Sequence, residues 1–202
     1  MSKLVHSIAI ILLLLSMNDA VAQTGKRPPK EDSLVFLLPQ LAFDSTESTN
    51  RYVHPSGFTV RYTYKWNRDY SLSDELYLQL RNPNPNYPAT FRETVSVIRE
   101  VSEDSSKTLE EMAAFYARLS ADTWEQYRIT YAVKDSGEVM VNGKKMYYLR
   151  VGLNQLSQEK LIVIVQRVNQ FFIMEYTATD KTFAFFLEDF WKMIHSCAFI
   201  ER

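Results

Sequence analysis

Cysteine is almost absent. Cys197 is the single one in 202 residues, so no intramolecular disulfide can form and the fold must rest on its own core. Glycine is scarce, at 5, and proline is limited to 7, which excludes collagen-like and low-complexity architectures. Of the 3 histidines, only His54 and His195 lie beyond the N-terminal leader described below. The patterns Gly-x-Ser-x-Gly, His-Glu-x-x-His and Gly-x-x-x-x-Gly-Lys-Ser/Thr are all missing, so three common routes to hydrolysis and nucleotide chemistry lack their local signature. Charge of one sign is lacking too: the formal net charge is −1, which gives no global attraction to nucleic acid or anionic lipid. No apolar run reaches the roughly 20 residues of a membrane-spanning helix.

What is present is an ordinary globular balance, 46% hydrophobic and 13% aromatic, at a length that holds one domain. The N-terminus carries Lys3, the apolar run 8–15 (IAIILLLL) and then Ala20-Val21-Ala22. A basic start, a short apolar core and a small-x-small site predict that residues 1–22 are a signal peptide cleaved after Ala22. No cysteine follows the apolar run, so the thiol that a lipoprotein anchor requires is missing. The expected protein is exported, periplasmic or secreted, with no stable membrane insertion after cleavage. Residues 23–44 form a leader: 23–32 (QTGKRPPKED) is a polar linker, and 33–43 (SLVFLLPQLAF) is apolar, interrupted by Pro39, and fits a strand or a short helix equally. Residues 45–202 are expected to be a single domain.

Within that domain residues 51–54 read as a short strand, Pro55-Ser56-Gly57 as a turn, and 58–66 as a longer strand. In the latter Phe58, Val60, Tyr62, Tyr64 and Trp66 alternate with polar residues, the period of a half-buried strand. Residues 71–80 (SLSDELYLQL) predict a short helix capped by Ser71 or Ser73, and the prolines of 82–88 (NPNPNYP) predict a surface loop. Residues 91–101 predict a strand with Val95 and Val97 on one face, and Thr94, Ser96 and Ile98 on the other. Thr108-Leu-Glu-Glu111 is a capping box, opening a helix to about Gln126 with Leu109, Met112, Ala113, Tyr116 and Leu119 on one stripe. Strands are expected at 128–133 and 138–141. Asn142-Gly143 then makes a tight turn into 145–152. A second hairpin joins 161–168 to 171–178 at Asn169-Gln170, giving an antiparallel meander. Phe183, Phe186, Leu187, Phe190, Trp191 and Ile194 then recur at helical spacing. Their helix, capped by Thr179 or Asp180, should lie across the sheet.

Candidate chemistry is sparse. His195 and Cys197 suggest a base and a nucleophile, but residues two apart on a helix point about 200° apart, so a structural thiol is expected. The acidic pairs Glu103-Asp104 and Glu110-Glu111 lack a histidine or loop motif that would complete a metal site and read as surface. The rings of 58–66 read as a core face rather than a stacking platform. No residue is nominated as catalytic, cofactor-binding or metal-ligating.

One resemblance emerges from the order of these features. Gly57-Phe-x-Val-x-Tyr62 followed by Trp66, a valine-rich strand, a capped helix, Val141-Asn-Gly143 with Tyr147-Tyr148 behind it, an apolar hairpin ending Tyr176-Thr-Ala178, and Phe190, Ile194 and Ser196 in a last helix together resemble the PsbP/Mog1 superfamily over residues 52–199. The resemblance implies an α+β fold, an α/β/α sandwich with a central antiparallel β-sheet covered by helices. It also implies a mostly non-enzymatic family that binds partners or aids assembly, including photosystem II extrinsic proteins, a Ran-binding nuclear protein, and bacterial periplasmic proteins and lipoproteins. The leader resembles a bacterial export signal, and the missing lipoprotein cysteine sets this chain apart from the lipoprotein members. No functional residue carries over, because the matching positions are structural. The expected function is therefore that of an exported, non-enzymatic binding or accessory protein acting on an envelope protein partner, without nucleic acid or cofactor. A small-ligand protein with a cleft beside the aromatic sheet is the alternative, followed by a hydrolase with a carboxylate-based site.

Overall fold

The computed structural model describes residues 42–70, 77–82, 93–104 and 106–200. At its centre is the hairpin of β8 (Gln158–Arg167) and β9 (Gln170–Thr179), paired along its whole length. Both strands are buried on nearly every residue, so their apolar runs are continuous, as in a strand covered on both faces. The closing pair Arg167↔Gln170 places the two-residue turn at Val168-Asn169, one residue earlier than the sequence reading. Val168 adopts φ 55° there, a conformation costly for a β-branched side chain.

β7 (Lys144–Leu153) adds to β8, and β6 (Tyr131–Val141) adds to β7. The turn between β6 and β7 is Asn142-Gly143, with φ 50° and 74°, the positive values that a tight hairpin of this length requires. Sequence reading splits β6 into two strands because Lys134-Asp-Ser-Gly137 looks like a break. Instead the register shifts between Val133 and Asp135, and this bulge lets a polar run stay in an exposed edge strand. On the other side of β9 lie β5 (Thr94–Val101), β4 (Leu78–Arg81) and β3 (Asn67–Arg68), completing the order β3-β4-β5-β9-β8-β7-β6 with every pairing antiparallel. β9 is thus the middle strand of seven and not the last of a meander.

A second sheet was not anticipated. β1 (Thr49–Val53) and β2 (Phe58–Thr63) form a hairpin that leaves the main sheet and is completed by β10 (Ala198–Phe199), which follows the last helix. β2 also stops earlier than its alternation suggests: Tyr64 is 69% exposed, while Trp66 returns to the core and meets Tyr176 and Phe186 edge-on.

The helices cover opposite faces. Helix α1 (Leu109–Glu125) begins with the expected capping box: Thr108 Oγ1 accepts from the Glu111 amide at 3.2 Å, and Glu111 accepts from the Thr108 amide at 2.8 Å. It lays Leu109, Met112, Ala113 and Tyr116 against Leu149, Val151, Ile162, Ile164, Phe171 and Ile173. Helix α2 (Phe183–His195) and the small sheet cover the other face, against Val95, Val97, Leu161, Val163, Phe172, Met174 and Tyr176. Tyr176 stacks on Phe183 and Phe190 at 5.2 and 5.5 Å, and its hydroxyl donates to the Phe183 carbonyl. The N-cap of α2 is Thr182 and makes no side-chain capping bond; Thr179 Oγ1 accepts from the Thr182 amide instead. Three layers result: helix, seven-stranded sheet, and helix with small sheet.

The predicted helix over 71–80 is corrected where it is described. Leu78–Arg81 is a strand hydrogen-bonded to β5, with Leu78 and Leu80 buried, because pairing and burial override a weak local helix preference. Residues 71–76, the loop 83–88 and the apolar segment 33–41 lie outside the described residues. Phe43, which ends that segment, packs on the core.

Candidate functional site

The middle of the main sheet holds charge. Glu175 interrupts the apolar run of β9, and its backbone neighbours in register are Ser96 on β5 and Ile162 on β8. Alternation directs it to the α1 face. Lys160 lies on the same face at the start of β8, and its Nζ meets Glu175 Oε1 at 2.5 Å. Both are buried, with 3% and 9% exposure. Tyr116 of α1 donates its hydroxyl to Glu175 Oε2 at 3.3 Å, and Thr177 Oγ1 donates to Oε1 at 3.4 Å. The Lys160 ammonium lies 5.3 Å from the Trp124 ring centroid, an arrangement favourable to a cation withdrawn from water. Each ion therefore has a counter-charge and further polar or aromatic contacts, the condition for a buried pair to persist.

The tyrosines around the pair show how dry the region is. Burial, followed by the Glu175 charge, holds the Tyr116 phenol well above its usual range. Tyr77 and Tyr131 are raised by the same two causes in the same order. Near neutral pH all three are protonated phenols. They can donate hydrogen bonds toward a carboxylate.

A second buried carboxylate lies next door in sequence but on the opposite face. Glu159 Oε2 accepts from Arg150 Nε and Nη2 at 3.0 and 2.9 Å, and Lys134 bonds its Oε1. The Arg150 guanidinium also covers the Phe183 ring. Thus β8 enters the sheet with Gln158, Glu159 and Lys160 all buried, one ion directed to each face. Sequence reading starts this strand at Leu161 and leaves the Gln-Glu-Lys run outside it. The signal that could have found the pair was Glu175: a lone carboxylate inside FFIMEYTA needs a cation, because burying an uncompensated charge is prohibitive.

The residues considered for chemistry on sequence grounds do not come together. Cys197 lies beyond the end of α2, buried, with its Sγ against Met174 Sδ, and burial pushes its thiol up to about 12. His195 instead contacts Asn142, whose side-chain amide also donates to the His195 carbonyl. Asp104 accepts from Ser106 in its own turn and Glu111 serves the helix cap; Glu110 is exposed. Phe58, Val60 and Tyr62 belong to the core. His54 is buried edge-on to Phe172, its Nδ1 accepting from the Ser56 amide. Among the described residues no group of three or more His, Cys, Asp or Glu converges on a point that could hold a metal. Among them, too, no helix is long and apolar enough to cross a membrane.

This fold is similar to that of a solved structure. The solution structure of cyanobacterial PsbP (CyanoP) from Synechocystis sp. PCC 6803 aligns at a TM-score of 0.56 with 15% identity, covering 80% of this chain and 99% of that one. The fold is PsbP-like. A Bacteroides thetaiotaomicron protein aligns at 0.42 with 10% identity, over 75% of this chain and 48% of that chain. A Pseudomonas aeruginosa protein of unknown function aligns at 0.46 with 11% identity, over 76% and 97%. No family model matches the chain, and no curated protein does. At such identities the PsbP-like likeness establishes the fold alone.

Proposed function

We propose that this chain is an exported, non-enzymatic binding or accessory protein of the bacterial cell envelope, acting by contact with another protein. The observation that carries the reading is the PsbP-like fold, together with a leader in which Lys3, the apolar run 8–15 and Ala20-Val21-Ala22 follow one another as in an export signal. The disposition of buried charge supports it. Glu175 and Glu159 are occupied by Lys160, Tyr116, Arg150 and Lys134, an arrangement suited to holding strands in register more than to passing protons to a substrate.

Two measurements test the reading. Fractionation followed by mass spectrometry of the N-terminus should find a chain beginning at Gln23 in the periplasmic or secreted fraction; a chain that retains Met1 sinks the export half. Cross-linking in intact cells, with the chain lacking residues 23–44 alongside, should recover a defined envelope protein that binds the purified chain directly. Failure of any recovered protein to bind in purified form sinks the interaction half.

A ligand-binding reading has one observation behind it. Gln79, Thr94, Ser96 and Thr177 are buried beside Glu175 on the α1 face, which makes that part of the sheet polar. A small molecule bound there would raise the melting temperature of the wild-type chain and not that of Ser96→Val.

A further inference from the structure

Among the asparagines of the chain, Asn142 alone is followed by glycine. The two residues form the exposed turn between β6 and β7, with positive φ at both. A Cβ added to Gly143 would meet nothing within 4 Å, and the Gly143 amide donates to nothing among the described residues. Its nitrogen is thus uncommitted, and glycine has no side chain to block its approach to a neighbouring group. That nitrogen lies next in the chain to a side-chain amide it can attack.

The Asn142 side chain is meanwhile occupied. Its Nδ2 donates to the His195 carbonyl at 2.6 Å and lies 3.1 Å from His195 Nδ1. His195 is the last residue of α2, and the final carbonyls of a helix have no partner within it. Two residues along, Lys144 Nζ donates to the Cys197 carbonyl at 3.1 Å. The turn therefore holds the point at which α2 ends and the chain enters β10. That stretch also secures the small sheet. Ser196 Oγ accepts from the Arg61 amide at 2.8 Å, and the Ile200 amide donates to the Gly57 carbonyl at 2.8 Å.

We propose that Asn142 is a site of spontaneous deamidation, and that the reaction unfastens α2 from the β6–β7 turn. The Gly143 nitrogen bonds to Asn142 Cγ and gives its proton to the departing amine. The bond from Cγ to Nδ2 breaks, ammonia leaves, and a succinimide ring closes. Water then opens either carbonyl of that ring, so the net change is one amide and one water converted to one carboxylate and one ammonium ion. The aspartate product replaces a donor by a group that only accepts, set against the His195 carbonyl at the negative end of the helix dipole. The isoaspartate product adds a methylene to the backbone of a two-residue turn whose flanks, Val141 and Lys144, are paired. Either product loses the bond to α2. Ring closure turns Cγ toward Gly143 and away from α2, which breaks both contacts of Nδ2. The folded chain therefore reacts at a rate set by local opening of this corner. The site depends on neither export nor a protein partner.

Peptide mass spectrometry of the purified full chain, kept at neutral pH beside a sample unfolded in urea, reads the reaction. Aspartate and isoaspartate should accumulate at position 142 in both samples, more slowly in the folded one, and ahead of every other asparagine. His195→Ala removes one of the two contacts and should speed the folded-state reaction about fivefold. Asn142→Gln, which would have to close a larger ring, should stop it. Asn142→Asp, made directly, should melt about 2–4 °C below wild type. Its amides at Ser196, Cys197 and Ile200, which bond to Lys192, Ile194 and Gly57, should exchange with solvent faster. The proposal falls if position 142 stays asparagine in the folded chain over a period in which the unfolded chain reacts. Equal folded and unfolded rates, or no acceleration in His195→Ala, would overturn the control by α2. An Asn142→Asp chain with wild-type melting and exchange would overturn the unfastening.

Discussion

The two faces of the seven-stranded sheet are built by different means. The face under α2 and the small sheet has an aromatic centre: Tyr176 stacks between Phe183 and Phe190, while Phe172 stacks on Phe58 at 4.3 Å. The face under α1 is mostly aliphatic beneath the helix, with Phe171 the one ring contributed by the sheet core there, and then turns polar, with Lys160, Glu175 and three tyrosines. Apolar contact is non-directional and tolerates any partner of suitable shape. A buried ion pair is directional, and it penalises every register that leaves one ion alone. One face thus supplies cohesion; the other discriminates between strand registers, a division the following changes would break or sharpen.

The largest effect should come from the aromatic face. Phe190 is fully buried, so Phe190→Asp removes a ring and buries an unpaired charge, costing more than about 4 kcal/mol. The variant should show no cooperative melting transition by circular dichroism. An unchanged transition would contradict the placement of α2.

On the other face, Glu175→Leu leaves Lys160 buried and alone, and should cost about 3–5 kcal/mol. Adding Lys160→Met should restore most of that loss. Chemical denaturation of both singles and the double gives the coupling directly; additive losses would mean that the pair does not act as a unit.

Alkaline titration separates the faces without mutation. Tyr116, Tyr77 and Tyr131 have folded-state values raised by burial and by Glu175, so above the unfolded value of about 10 the unfolded chain loses these protons first. Stability should therefore fall as pH rises past about 10, by up to about 1.4 kcal/mol per pH unit for each tyrosine. Phenolate absorbance should show these three ionising only with unfolding. The smallest effect belongs to the edge of the α1 face: Thr108→Ala removes the cap and should cost about 1 kcal/mol by denaturant melt.

Much of this was legible in residue order. The capping box at Thr108, the Asn142-Gly143 turn and the α2 stripe appear where local chemistry places them, and the β8–β9 hairpin forms with its turn one residue early. The misses share a cause. Leu78–Arg81 reads as the end of a helix, because its four residues carry a weaker signal than the pairing with β5 that makes them a strand. Gln158-Glu159-Lys160 falls outside the strand expected at 161–168, because nothing nearby announces that Glu175 waits on the neighbouring strand. Ala198–Phe199 is too short to read as a strand at all. It becomes one because β2 has a free side.

The sequence by itself determined the α+β class, the turns, the caps and the helix that must lie on an apolar sheet, since each depends on residues within a few positions of one another. Tertiary structure alone decided that the hairpin of β1 and β2 leaves the main sheet and that β9 sits at its centre. It also decided that Lys160 meets Glu175. Those facts depend on strand register, in which a slip of one residue sends every side chain to the other face, and register is settled only when the whole sheet and its covering helices assemble together.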